Sequence, residues 1–166
     1  MKKFEMKKFW FFAAVLLGLT LQSMFAPGQQ LTVQAENGKQ TILTRADIGA
    51  LPSIKITTGA ASDPTTFEGV SLKAVLEKGG VTFGDTLRGK RMASFLLVEA
   101  TDGYRAVIAL PELDEAFTNK QIFLAFSKTG KPLADKEGPY RIVIPDEKRM
   151  ARWVKQVSAL KIVAAP

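Results

Sequence analysis

The sequence predicts an α+β domain in which mixed β-sheets dominate and the helices are few and short. Three observations support this prediction. Short alternating segments typical of strands recur along the chain, Asn-Gly and Asp-Gly dipeptides mark hairpin turns, and helical periodicity is confined to brief stretches. A chain with many strands and a few separate helices is typical of the α+β class.

In the first half of the domain, turn and capping residues indicate where elements begin and end. Asn37-Gly38 predicts a hairpin turn, and Thr44 followed three residues later by Asp47 predicts the start of a helix. The predicted elements in chain order are strands at 31–35 and 40–44, a helix at 44–52, a strand at 53–58 and a loop at 59–69.

In the second half, Ser71 is a predicted N-cap, an apolar stripe follows at helical spacing, and Gly79-Gly80 ends the helix. Asp102-Gly103 predicts a second hairpin turn. The predicted elements in chain order are a helix at 71–81, two strands within 92–110, a short acidic helix or turn at 111–117, a strand at 121–127, an exposed loop at 128–139, and strands at 140–145 and 157–163.

The N-terminus resembles an export signal, because lysines at 2, 3, 7 and 8 precede the uncharged apolar run 9–21. That run is shorter than the roughly 20 residues that span a bilayer. We therefore predict a cleaved signal peptide at 1–26, ending at Ala26, and a single domain at 27–166 in the periplasm or medium. An uncleaved anchor is the alternative, since Met24 occupies a position where a small residue is preferred.

Composition excludes several classes of chemistry. The chain has no cysteine and no histidine, so it offers no thiolate nucleophile, no thiolate or imidazole metal ligand and no disulfide. Without residues 1–26, which carry four basic residues and one acidic residue, 19 basic and 15 acidic residues remain. This modest excess, together with export, argues against a nucleic-acid partner.

An ordered set of motifs resembles the molybdopterin-binding domain of sulfite oxidase-like oxidoreductases, particularly its small exported single-domain members. The motifs are Phe67-Glu68-Gly69-Val70-Ser71-Leu72, Asp102-Gly103-Tyr104, Gly138 with Arg141, Val143 and Pro145, and Arg152-Trp153. They cover about residues 40–163 in the order of the family. The resemblance implies a β-rich fold with mixed sheets and short helices.

The resemblance also implies a cofactor site, from which this sequence departs. In the family a cysteine thiolate holds molybdenum, whereas the matching segment here carries Thr58, with Asp63 later in the same loop. A basic turn helps to bind the pterin phosphate, and Arg149 and Arg152 match its two cations, but Glu147 stands where the family has glycine. Such enzymes are exported folded by the twin-arginine route, whereas this leader has no Arg-Arg and is typical of Sec export.

Two interpretations of the basic turn remain open. On a helical wheel Arg149 and Arg152 share one face and Met150 and Trp153 share another, which is typical of a solvated amphipathic turn above a core. The alternative is a site for an anion or an acidic partner. Its candidate binding residues are Arg149, Arg152, Arg141, Tyr104 and Arg105.

Other charged clusters have simpler interpretations. The basic segment 87–91 is read as a solvated loop that supports an anion site only if it lies near Arg149 and Arg152. The acidic residues of 112–115 are read as a helix-start cluster. We predict no catalytic residue and no metal ligand.

The sequence therefore predicts an exported sulfite oxidase-like domain without molybdenum catalysis and without a cofactor, which binds a small anionic ligand or an envelope protein. One alternative is a molybdopterin-dependent oxidoreductase with a non-cysteine molybdenum site. Another is an envelope subunit that pairs a sheet edge with a second chain.

Overall fold

The computed structural model describes residues 30–165, so the predicted signal peptide, with its end at Ala26, lies outside the described residues. The strands are β1 (Leu31–Gln34), β2 (Gln40–Leu43), β3 (Ser53–Thr58), β4 (Thr65–Ser71), β5 (Phe95–Ala100), β6 (Arg105–Ala109), β7 (Phe123–Lys128), β8 (Lys131–Pro132), β9 (Arg141–Val143) and β10 (Val157–Val163). The helices are α1 (Arg45–Gly49) and α2 (Leu72–Lys78), and the 3-10 turns are Gly84–Thr86, Gly89–Ala93, Leu110–Leu113 and Met150–Arg152. The predicted α+β class is confirmed.

Sheet 1 has the order β2-β1-β10-β5-β6, in which β1 and β10 are parallel and the other neighbours are antiparallel. Both predicted hairpins lie in this sheet. Gly38 and Gly103 have φ of 79° and 86°, a conformation that glycine adopts without strain. Strand β10 lies between the two hairpins, so the last described strand pairs with the first.

Sheet 2 has the order β3-β4-β7-β8, with β9 also paired to β7. The prediction of a loop over 59–69 is wrong in its second part, because 65–71 forms β4 between β3 and β7. Thr65, Thr66 and Phe67 favour extended backbone, and Phe67 buries its ring. The predicted loop 128–139 likewise contains the two-residue strand β8, which pairs back onto β7.

The helices agree with their local signals, with one exception. Thr44 and Asp47 form a reciprocal capping box at α1, as predicted. Ser71 is the N-cap of α2, but its side chain makes no capping hydrogen bond. The Leu72 N–H instead donates to the carbonyl of Ile122, so packing against the segment before β7 satisfies this helix start. The predicted acidic element 111–117 is the 3-10 turn Leu110–Leu113.

The buried side chains form a core cluster to which both sheets contribute. Leu96 and Val98 of β5 point inward, whereas Phe95 and Leu97 lie on the outer face of sheet 1 and are half-buried. No helix within residues 30–165 combines the length and apolar character needed to cross a bilayer.

Candidate functional site

The basic turn between β9 and β10 is anchored by Trp153. Its ring is 5% exposed, its Nε1 donates to the carbonyl of Ile144 at 3.1 Å, and it meets the ring of Phe67 edge-on at 6.1 Å. Val154 and Val157 are also buried. The prediction that Trp153 belongs to the core is confirmed.

The helical wheel is wrong for Met150, which it assigns to the apolar face. Met150 is 64% exposed. The reason is local, since only Met150–Arg152 form a 3-10 turn and Trp153 leaves it with φ of −80° and ψ of 63°. A helical period therefore does not extend across the segment.

Arg152 is held by two carboxylates. Its Nε donates to Glu147 Oε1 at 2.7 Å, its Nη2 makes a second bond to the same oxygen, and its Nη1 donates to Glu112 Oε1 at 3.2 Å. Nη1 also contacts the carbonyl of Val107 at 3.3 Å. Burial acts to lower the pKa of Arg152, but the hydrogen bonds that it donates to Glu112 and Glu147 outweigh this effect and raise the pKa. Its charge is therefore neutralised within the protein.

Glu112 is the carboxylate on the other side of this network. It accepts hydrogen bonds from Arg152, from Lys120 Nζ at 2.5 Å and from the N–H of Ala109 at 3.2 Å. Burial acts to raise the pKa of Glu112, but the hydrogen bonds from Arg152 and Lys120 outweigh it and lower the pKa to about 2. Glu112 is therefore an anion at every ordinary pH.

Together Arg152 and Glu112 cover the open edge of sheet 1. Alternate residues of a strand direct their backbone groups to the same side, and the Val107 carbonyl and the Ala109 N–H bind these two side chains rather than β5. Edge strands with unpaired backbone groups are open to pairing with other chains. We call this arrangement the β6 seal.

Arg149 and Arg105 occupy the surface. Arg149 is exposed just before the 3-10 turn, and within residues 30–165 its guanidinium forms no ion pair. The Arg105 side chain is 67% exposed and pairs with Glu99 at 3.2 Å. Glu99 also binds Lys161 at 2.5 Å, so one carboxylate serves two cations.

Arg141 lies in a different environment from the other candidates. It is 4% exposed, donates to Glu137 Oε1 at 2.8 Å, and its guanidinium lies 5.1 and 5.8 Å from the ring centroids of Phe67 and Trp153. Burial lowers the pKa of Arg141 and the charge of Glu137 opposes that effect. Its position between two rings gives it a packing role.

Glu137 is shared by three cations. Besides Arg141 it pairs with Lys155 at 3.4 Å and with Lys128 at 3.8 Å. Burial acts to raise the pKa of Glu137, but the charges of Arg141 and Lys128 produce a net lowering. This cluster therefore carries an excess of positive charge at its exposed lysines.

Tyr104 connects the β5–β6 hairpin to the basic turn. Its hydroxyl donates to the carbonyl of Ala151 at 2.7 Å, and its N–H donates to Asp102 Oδ1 at 2.9 Å. The structure thus brings Tyr104 and Arg152 to the same turn, while Arg141 is directed into the core. A cleft of about 220 Å³ opens between hairpin and turn, lined by Asp102, Tyr104, Met150, Ala151, Trp153, Val154 and Lys155.

Thr58 lies at the end of β3, where the resemblance places a cysteine. Its hydroxyl lies 3.5 Å from the carbonyl of Thr65, while Asp63 is exposed in the loop that follows. No group of three or more acidic residues, histidines or cysteines that could hold a metal ion occurs in residues 30–165. The basic segment 87–91 is directed elsewhere, since Arg91 pairs with Glu36 at 2.8 Å.

Sequence reasoning does not identify two carboxylates that organise the charges around the basic turn. The sequence pattern places Glu112 in a helix-start cluster, whereas in the structure it binds a residue 40 positions away. Glu137 lies in a polar loop with no recognisable motif. The only available signal was the unusual Glu147 in the basic turn, which indicates that an adjacent cation has an internal partner.

Comparison with known proteins identifies the fold. A model of the oxidoreductase molybdopterin binding domain matches residues 30–166. The chain belongs to this family. No curated protein matches it. The sulfane dehydrogenase SoxCD from Paracoccus pantotrophus is structurally similar, with a TM-score of 0.63 and 19% identity. The match covers 81% of this chain but 38% of that chain, and it concerns the fold alone.

The residues of this family member do not fit a molybdenum centre held by a thiolate. The chain has no cysteine, and the Thr58 hydroxyl is a much harder and un-ionised donor. In the basic turn, Glu147 occupies the position at which a glycine would let a phosphate approach, and its carboxylate already binds Arg152. Where the resemblance would place a phosphate, the Arg152 guanidinium is already paired with an internal carboxylate.

Proposed function

We propose that this domain is exported to the periplasm and acts there as a protein-binding module without molybdenum catalysis. Export is supported by the basic and apolar pattern of residues 1–26. The observation that carries the proposal is the neutralisation of Arg152 by Glu112 and Glu147 in a chain that has no thiolate. A turn whose cation is already paired has lost its affinity for a cofactor phosphate.

The distribution of charge favours a protein partner over a small anion. A small anion is held tightly where several donors converge in a desolvated site. Of the candidate arginines, Arg152 and Arg141 are paired inside the protein, and Arg105 and Arg149 lie on the surface. Exposed arginines beside exposed Tyr and Met side chains are typical of protein interfaces.

Purification from the periplasm, followed by metal analysis, tests this function. The full chain is expressed with its leader, and the cells are fractionated. We expect the protein in the periplasmic fraction without stoichiometric molybdenum. A cysteine-containing member of the family, expressed in the same host, verifies that the cofactor is supplied. Stoichiometric molybdenum would overturn the proposal, and recovery in the cytoplasm would contradict export.

The second candidate function is a molybdopterin-dependent oxidoreductase with a non-cysteine metal site. It is favoured by the family match over residues 30–166 and by the retention of Arg149 and Arg152-Trp153. The same metal analysis separates the two candidates. Under this alternative, molybdenum content should fall when Arg149 is replaced by Glu, because a phosphate-binding cation is lost.

A further inference from the structure

The outer face of sheet 1 is unusually apolar for a solvent-facing surface. An antiparallel sheet with one face in water usually alternates apolar residues inward with polar residues outward. Here Val107, opposite Leu97, is 47% exposed, and Ala109, opposite Phe95, is exposed. Two cross-strand pairs on this face are therefore available for contact with another molecule.

The cleft beside Tyr104 lies near the edge strand β6 of this sheet. The basic turn is joined to β6 through the bond from Arg152 to the Val107 carbonyl, and the cleft lies between that turn and the hairpin. Tyr104 is 49% and Met150 is 64% exposed. A dry cavity of about 150 Å³ accommodates a benzene ring, so a cleft of 220 Å³ is large enough for one aliphatic or aromatic side chain.

Unbalanced positive charge surrounds the face and the cleft. Glu99 is shared by Arg105 and Lys161, and Glu137 is shared by Lys155 and two other cations. Asp102 is the acidic residue of the cleft lining, and its Oδ1 already accepts the Tyr104 N–H. Complementary charge on an occupant must therefore be negative.

The β6 seal determines how an occupant can dock. Addition of a strand to β6 requires the Val107 carbonyl and the Ala109 N–H, which bind Arg152 and Glu112. An occupant must therefore engage side chains. Apolar side chains of Tyr104, Met150, Trp153 and Val154 line the cleft, which can receive a side chain, whereas insertion into a lipid surface requires apolar groups that protrude. A protein segment fits this shape better than a membrane.

We propose that this surface docks a protein segment in which acidic residues flank one apolar side chain, and that this side chain enters the cleft between Tyr104 and Met150. Lys155 and Arg105 pair with the flanking carboxylates. The inference rests on the proposed function, because it specifies the partner of that same surface.

Selection from a phage-displayed library of random peptides tests the inference, with the purified, processed protein as bait. We expect enrichment of peptides with an apolar residue between Asp or Glu residues. A synthetic peptide of the selected consensus should bind about tenfold more weakly to the Met150→Ser and Lys155→Glu variants. Binding to the Lys155→Glu variant should also depend less on salt.

Matched controls lie elsewhere on the surface. Ile54 is 38% exposed on β3 of sheet 2 and Lys39 is exposed in the β1–β2 turn, so Ile54→Ser and Lys39→Glu remove one apolar and one cationic side chain away from the cleft. Both should change binding by less than about twofold. Thermal unfolding of all four variants verifies that they are folded.

Several outcomes would overturn the inference. One is a selection that shows no preference for acidic and apolar residues. Another is a consensus peptide whose affinity is unchanged by Met150→Ser and Lys155→Glu. A third is binding of the protein to phosphatidylglycerol vesicles that is lost in those two variants. Cross-linking in cells distinguishes failure of this docking inference from failure of the proposed function. A cross-linked partner that Met150→Ser removes, with no acidic consensus, refutes the inference alone. If the purified protein contains stoichiometric molybdenum and the acidic and apolar consensus is also found, the proposal that catalysis is absent fails and the docking inference stands.

Discussion

Replacement of Glu112 by Gln tests the charge network that holds the basic turn. Glutamine keeps an oxygen that can accept from Ala109 and Arg152, so the substitution chiefly removes the negative charge. The pKa of Glu112 is lowered from 4.5 to about 2, and each pKa unit corresponds to about 1.4 kcal/mol. Solvent screens this partly exposed pair. We therefore expect the free energy of unfolding at pH 7 to fall by ~1–2 kcal/mol.

The pH dependence has a definite sign. The folded pKa of Glu112 is lowered, so its contribution to stability is present above pH 4.5 and is lost as the pH falls towards 2. The difference between the wild type and Glu112→Gln should therefore shrink to less than half at pH 3. Urea unfolding at pH 7 and pH 3 measures this difference in stability, which should appear as a shift of the unfolding midpoint by ~0.5–1 M at pH 7.

The control for this experiment is Glu115→Gln, which neutralises an exposed carboxylate three residues away. It should change stability by less than about 0.5 kcal/mol. Equal destabilisation by Glu112→Gln at both pH values would refute the reasoning, because it would show that packing rather than charge is lost.

Substitutions at Gly69 and Arg141 test the motifs that define the fold. A methyl group on Gly69 would lie 2.7 Å from the Cα of Ala125, so Gly69→Ala should lower the free energy of unfolding by ~1–3 kcal/mol, whereas Gly49→Ala, in open space, should not destabilise. Thermal unfolding distinguishes them, and similar melting temperatures would contradict the packing argument. Arg141→Ala should cost ~2–4 kcal/mol by leaving a cavity between two rings. Arg141→Met should lower the free energy of unfolding by less than half as much, because methionine fills the space and Glu137 remains paired with Lys128 and Lys155. Equal losses in urea unfolding would show that the charge of Arg141 matters more than its bulk.

Local signals predicted most of the fold. Asn37-Gly38 and Asp102-Gly103 encode their turns in adjacent residues, and the Thr44 cap is complete within one helical turn. Strand β4 was missed in part because Ser, Asp and Pro dominate the start of 59–69. Its extended conformation comes from pairing with β3 and β7, which are neighbours only in the folded chain.

The candidate site was less predictable because its interactions are long-range. The motif identified Arg152 as a cation, but the partners that decide its role include Glu112, which is distant in sequence. Arg141 was selected by the same motif, and only the positions of Phe67 and Trp153 show that it is enclosed. Residue type and order therefore predicted the location of the basic turn, while three-dimensional packing determines which charges face water.

The β6 seal also bears on the solubility of the domain. Aggregation commonly begins where the bare edge of one sheet meets the edge of another. In this molecule Arg152 and Glu112 occupy backbone groups at one such edge, and β3, at the edge of sheet 2, presents the exposed charge of Lys55. A change that draws Arg152 away, such as replacement of Glu147 by glycine, would leave β6 open to self-association. The Arg152 guanidinium, which the family resemblance would assign to a cofactor, is therefore expected to limit contact between separate molecules at this edge.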